Sequence, residues 1–566
     1  MRIGDAFADL AFTIAMETTG RWSRDRLLAA ANEPAATQAR TLRRILRACR
    51  DTELGQLYRF DSIDSVEAFR AAVPICDYEI LRPFIDRQIA TGRLVTAPER
   101  PFMYARTSGT TGAPKHIPVT RGVLRRLRRA QRAMAYVQHE ALDAFSGRII
   151  GIGGARCEER LSDGTPAGAT TGLIYETMPR FMRAKYVLPP AVFGIDDYQL
   201  KYAIIARLAV QAGDVTAIAT ANPSTILRLM DVVRGDLVGI VEEIEAGDVG
   251  TLKSLPSTLL EQIAPTVAAD AVRAEALRPL LRPGVSITIA DLWPDLRVVV
   301  TWLGGGCVLA ADAVRRELPP SARMIDAGYV ASEMRGTIVA DVARGLALPL
   351  LQDVFFEFVP ADAWEAGRRE TILLHELVEG RDYHVIITTE AGLFRYHMND
   401  VVRAREPIRS TPSLSFVRKG RGVTNITGEK LSEDQVHLAM AEATRACGSR
   451  ATFFVVLADP LLPGYRAFIE FLDAPDDCNA FTSALDRELC RLNIEYGSKR
   501  QSGRLRAIDL APLRAGTADA YHRHCVREKG QREAQIKVLA LQTVDECDFE
   551  FESHMVADAP LASRHL

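Results

Sequence analysis

The chain has 566 residues, of which 48% are hydrophobic and 25% charged; this is the balance of a soluble globular protein with more than one domain. A formal net charge of −2 offers no basic excess for nucleic acid or for an anionic membrane. The nine cysteines form no Cys-x-x-Cys pair, so neither a disulfide framework nor a zinc site is indicated, and a reducing, cytoplasmic compartment is expected.

Asp5 and Asp9 interrupt the apolar residues of the first ten positions, so no signal-peptide core forms, and no later stretch reaches the length of a membrane span. The first hundred residues are read as mostly helical. ATQARTLRRILRACRDT puts Leu42, Ile45, Leu46 and Cys49 on one helical face, and Pro74 breaks the following segment. Residues 106–120 then read RTSGTTGAPKHIPVT. Ser108, Gly109, Thr110, Thr111 and Gly112 offer no apolar side chain to a core. Glycine frees the backbone to approach a ligand, the hydroxyls donate, and Lys115 adds a cation. Such a loop suits a phosphate; its plain alternative is a surface turn. The loop is not a Walker A sequence. Thr120 is placed to cap a helix with an apolar stripe of Leu124, Leu127, Met134 and Val137. The many arginines of that helix are its solvated faces.

Strand-like and helix-like segments alternate from there. Residues 147–154 and 214–221 read as buried strands with a helix between them, and 295–306 is a strand running into Gly304, Gly305 and Gly306. Glycines there suit either a tight turn or close approach of a flat base. VFFEFVP, ETILLHELVEG and DYHVIITTEAGLFRYHMNDVVRA add β structure, the last as two strands around Glu390-Ala391-Gly392. SFVRKGRGVTNITGEKLSE marks a change, with Lys419 to Gly422 as a pivot. Beyond it come a helix at 431–446, two strands, a helix at 478–495 and a further strand. The order predicts an α/β fold: a large N-terminal domain over residues 1–417 and a smaller, mobile α+β domain over 418–566.

TSGTTGAPK resembles the phosphate loop of the adenylate-forming superfamily, which includes acyl-CoA synthetases and luciferase. Together with LWPDLRVVVTWLGGG, GYVASE, LHELVEGRDYHVIITTEAGLFRYHMNDVVR, FVRKGRGVTNITGEKLSE and GQREAQIK, it resembles one branch of that superfamily. This branch is the auxin-responsive (Gretchen Hagen) acyl acid amido synthetases, and the likeness covers roughly residues 35 to 540. The resemblance implies a fold of adenylate-forming type. It also implies ATP-dependent activation of a small carboxylic acid as an acyl-adenylate, then transfer to an amino acid amine. Transfer to coenzyme A or a carrier thiol, and a nucleotide-binding regulator without activity, are the competing readings. ATP and magnesium are the implied cofactors.

Residue by residue, the resemblance makes Glu333 of GYVASE the metal-contacting acid and Lys537 of QIK the lysine that reaches the phosphates. Tyr329 is read as a surface for a flat base and Ser332 as a donor, with Gly305 allowing close approach. Asp400, just past a strand, suits the ribose hydroxyls. Asn399 stands where the family has glycine and is among the few residues that enter left-handed geometry readily. Arg395 serves the phosphates or pairs with a carboxylate, Lys430 of TGEK is a further cation, and His116 receives no catalytic role. The acid's pocket is expected between the helix after the loop and residues 164–180, where Ala167, Gly168, Ala169 and Gly172 leave space.

Overall fold

The structure is a computed structural model and describes residues 3–107, 114–247, 250–304, 307–420, 423–529 and 540–556. Ser108, Gly109, Thr110, Thr111, Gly112, Gly305 and Lys537, and Arg421 and Gly422 of the expected pivot, lie outside the described residues. The chain divides into two compact units, one running to Thr107 and from Lys115 to Arg418, the other from Lys419 onward.

In the first unit, Pro34–Cys49 forms the helix that the apolar spacing predicts, with Leu42, Ile45, Leu46 and Cys49 buried. Its polar residues help to dock it. The Gln38 amide donates to the carbonyls of Leu351 and Val354, both at 2.8 Å, and the Thr41 hydroxyl donates to Leu351. The loop segment opens from the strand Met103–Thr107 and closes into Lys115–Val119. These two pair antiparallel, Thr107 opposite Lys115 and Arg106 opposite His116. Thr120 caps the next helix, Arg121–Leu142, by accepting from the Val123 amide at 3.2 Å.

The strands Arg148–Ile152, Val215–Thr220, Val298–Thr301 and Arg323–Asp326 form a parallel sheet in that spatial order. The helix Tyr198–Gln211 joins the first two, as the alternation predicts. Four helices between Ser224 and Leu277 cover this sheet's apolar core around the fully buried Trp293. A second, five-stranded sheet has the order Ile372–Leu373, Phe355–Pro360, Asp382–Thr388, Tyr396–Ile408, Thr411–Lys419. ETILLHELVEG contributes only its two-residue strand: Leu374–Glu376 is a 3-10 turn, held by the Glu376 carboxylate accepting from the Leu373 amide at 2.6 Å.

The second unit carries the helix Glu433–Ala446, closed by a Ser432–Gln435 capping box. It continues with a sheet ordered Asp509–Leu513, Gly464–Asp473, Arg450–Asp459, Leu541–Thr543. The single helix expected at 478–495 is two, Cys478–Leu492 and Ile494–Gln501. Asn493 breaks it because its side chain satisfies the Tyr496 amide of the second helix at 2.9 Å. Among the described residues no helix is long and apolar enough to cross a membrane.

Candidate active site

The polar residues of the first unit converge after the parallel sheet's carboxyl ends, where open α/β sheets place ligands. Asp326 ends the last strand of that sheet. Its carboxylate accepts from the Leu303 amide at 2.8 Å and the Gly328 amide at 2.6 Å, and burial pushes its pKa up. The two bonds tie the segment after Val298–Thr301 to the turn that follows. Gly328, at φ 80°, cannot carry a Cβ there, because the Thr337 carbonyl would lie 2.9 Å from it.

Ala331 donates to the Met334 carbonyl at 2.9 Å, within a bridge of Val330 to Arg335. This tight turn puts half-buried Ser332 and Glu333 at its tip. Glu333 Oε1 lies 3.9 Å from Lys115 Nζ and accepts from Tyr396 Oη at 3.4 Å. Lys115 in turn donates to Tyr396 Oη at 3.1 Å. A cation from the loop strand, a carboxylate from the turn and a phenol from the second sheet thus share one point. The rings of Tyr78 and Tyr396 flank the ammonium at 5.7 and 5.9 Å. Tyr78 Oη also accepts from the His116 amide at 2.6 Å, which fixes the backbone beside Lys115. Burial pushes the Tyr78 phenol up to about 12 and the Tyr396 phenol well above its ordinary value, so both remain protonated at neutral pH.

Asp400 is 1% exposed and accepts from Tyr329 Oη at 2.6 Å. Burial, then the Asp400 charge, hold that phenol well above its usual pKa. Asp400 lies within the strand Tyr396–Ile408 rather than past its end. The strand carries an irregularity there, since the pairs His384–Val401 and Ile386–His397 leave extra residues between them. Asn399 takes φ 52° at that point, the geometry for which asparagine is suited.

Two expected roles change. Tyr329, read as a surface for a base, is 5% exposed, stacks on Phe416 with centroids 6.2 Å apart, and spends its hydroxyl on Asp400. It braces the acid. Arg395 does not reach the Lys115–Glu333 point as a free cation. Its guanidinium donates to both Glu357 oxygens, at 3.0 and 3.2 Å, and to the carbonyls of Arg70 and Val73. Burial of both partners makes this the structural arginine of the two readings.

The small residues at 164–180 also serve another purpose. A Cβ on Gly168 or Gly172 would fall 2.5 Å from the backbone of Arg156, so these glycines let chains pack closely. A small, partly open cleft lies elsewhere along the helix Arg121–Leu142, lined by Val123, Leu127 and Ala130 together with Met334, Leu350 and Val354. Glu333 borders the same cleft.

His116 has a positional part. Its Nε2 lies 3.0 Å from Glu159 Oε1, and Arg106 Nε pairs with the same oxygen at 3.0 Å. Glu159 therefore ties together the two strands that flank the loop. Tyr396, Tyr78, Asp326 and Glu159 were not singled out by sequence. Tyr396 sits beside Arg395 in a motif already noticed; the others lie in unremarkable segments.

In the second unit, Lys430 takes φ 49°. Its amide donates to Asn425 Oδ1 at 3.3 Å, and its carbonyl accepts from Asn493 Nδ2 at 3.4 Å. The preceding Glu429 is fully buried and accepts from the amides of Ile426 and Thr427, both at 2.7 Å, and from the Tyr465 phenol. This loop is built to one shape.

Residues 23–319 match the model of the GH3 family N-terminal domain, 347–419 that of the GH3 family central domain, and 434–545 that of the GH3 family C-terminal domain. The probable indole-3-acetic acid-amido synthetase GH3.1 of Oryza sativa subsp. japonica is 24% identical over 485 residues, 80% of this chain and 77% of that protein. Jasmonoyl–L-amino acid synthetase JAR6 of Nicotiana attenuata is 24% identical over 530 residues, 85% of this chain and 86% of that protein. Among solved structures, the acyl acid amido synthetase AtGH3.15 in complex with 2,4-DB superposes with a TM-score of 0.65 at 17% identity, covering 95% of this chain and 96% of that one.

Proposed function

Because the chain belongs to the GH3 family, we propose that it is an ATP-dependent acyl acid amido synthetase. In the first half-reaction a carboxylate oxygen attacks the α-phosphorus of ATP, and pyrophosphate leaves. In the second, an amino acid's amine attacks the acyl carbon, loses a proton, and AMP leaves. The observation that carries the reading is the meeting of Lys115, Glu333 and Tyr396. The attack brings two anions together, so the site must supply charge and position more than covalent chemistry. Lys115 supplies positive charge at the loop, and Tyr396 holds ammonium and carboxylate in register.

Glu333 is a hard oxygen ligand beside that cation, and its side chain is 10% exposed. Magnesium at phosphate sites takes one or two carboxylates and completes its shell with phosphate oxygens and water, so these residues fit it. Magnesium held there by Glu333 would neutralise phosphate charge. Asp326 and Tyr329 keep the segments around the site in place, while Asp400 serves the ribose. We assign Ser332 and the loop residues Ser108 to Gly112 to the phosphates as donors. Lys430 and Lys537 are the cations we assign to the segment 418–566, which we read as the mobile domain.

Calorimetric titration is expected to show ATP binding that weakens at least tenfold on chelation of magnesium; absence of binding at millimolar ATP would remove the reading. The acceptor is tested by products. An amino acid, and not coenzyme A, is expected to raise AMP release after the adenylate forms, with the amide identified by mass spectrometry. A coenzyme A thioester as sole product would place the chain among thioester-forming ligases instead.

A further inference from the structure

The cleft beside the helix Arg121–Leu142 carries a charge that its own carboxylates do not answer. Five charged residues line it: Arg126, Arg335, Glu333, Asp353 and Glu390. Each carboxylate has its cation. Glu390 is held by Arg44 at 2.6 Å and by Arg126, Asp353 by Arg129, and Glu333 faces Lys115. Arg335 differs. It donates to Met134 Sδ at 2.8 Å and to the Ala327 carbonyl at 3.3 Å, and no carboxylate pairs with it among the described residues. Its Nε is buried and makes no hydrogen bond there. The Thr389 hydroxyl, also on the cleft wall, is buried with no hydrogen-bond partner among the described residues. Buried polar groups left without a matching partner are expensive unless a ligand completes them.

We propose that Arg335 is a specificity-determining residue that pairs with a second carboxylate on the acid being activated, so that the substrate class is dicarboxylic acids with an apolar body. The inference rests on the acid-activating reading above. The apolar body packs on Val123, Leu127, Ala130, Leu350 and Val354. Pairing with the reacting carboxylate is the poorer assignment on energetic grounds. That group loses its charge when it forms the adenylate, and an arginine clamped to it would stabilise the ground state more than the transition state. A group that does not react gains the same pairing throughout, and the binding it supplies orients the reacting end. Planar guanidinium matches carboxylate geometry in two parallel bonds, which adds selectivity to attraction.

ATP–pyrophosphate exchange on the full chain, without amine, tests this with matched acids: hexanoate against adipate, and 3-phenylpropanoate against its 4-carboxyphenyl counterpart. The diacid of each pair is expected to have the higher kcat/KM by about 10²-fold. Arg335→Leu should remove that preference through KM, and Arg335→Lys should retain part of it. Equal or better exchange with the monoacids, or a diacid preference that survives Arg335→Leu, would overturn the proposal while leaving acid activation standing. Where Arg335→Leu fails to fold, equal exchange within the wild-type pairs still overturns the proposal, and Arg335→Lys reads whether the preference runs through this residue. Exchange with no acid at all would remove both this proposal and the reading on which it rests.

Discussion

Glu333→Gln is expected to lower acid-dependent pyrophosphate exchange by about 10²- to 10³-fold with no change in unfolding midpoint beyond a few degrees. Glutamine keeps the shape and still accepts from the Tyr396 phenol, whose bond to Glu333 is 3.4 Å. It loses the charge that faces Lys115 and that a metal-bound phosphate requires. The partners are close enough to feel the change and too weakly joined to hold the fold, since the Lys115–Glu333 separation is 3.9 Å. An unchanged exchange rate would make Glu333 an ordinary cleft acid.

A different kind of loss is expected at Arg395. Arg395→Met should destabilise the protein by about 3–5 kcal/mol, because it leaves Glu357 charged and buried with half its donors gone. Glu357 is 1% exposed, and after the change Arg70 and Thr371 are the donors that remain to it among the described residues. Denaturant titration measures the loss. Glu357→Gln in the same chain should return part of it, since the double change removes the unpaired charge. Under about 1 kcal/mol of loss would show that Arg70 is partner enough. A tenfold weaker ATP affinity in the folded variant would instead return Arg395 to the phosphates.

These two residues show what was legible in the chain before its structure. Periodicity reported what lies against what: Leu42, Ile45, Leu46 and Cys49 fall on one buried face as spaced, and Thr120 caps as its position implies. Motifs reported which residues gather, and Lys115 and Glu333, far apart in sequence, do meet. What sequence could not weigh was competition for the same donors. Arg395 had two open readings because nothing in RYHMND tells that Glu357 lies within reach. Gly168 and Gly172 looked like room for a ligand, yet the backbone of Arg156 occupies that room. Asn493 splits a helix because a side-chain cap outweighs the apolar period at one position. Each miss is a tertiary contact overriding a local rule.

Six non-glycine residues among those described have positive φ: Arg59, Asp143, Arg395, Asn399, Arg409 and Lys430. Half of them are candidate site residues or the immediate neighbour of one. Left-handed geometry costs an ordinary side chain about 1 kcal/mol or more, and glycine would relieve it. A laboratory selection for heat resistance alone is therefore drawn toward glycine wherever that relief exceeds what the side chain contributes. At Asn399 that trade is nearly free in energy but loosens the backbone that aims Asp400. At Lys430 it deletes the cation, whereas at Arg395 the loss of Glu357's partner outweighs the relief. Breeding this protein for endurance and breeding it for turnover would consequently part company first along these short stretches of backbone, well before any core residue changed.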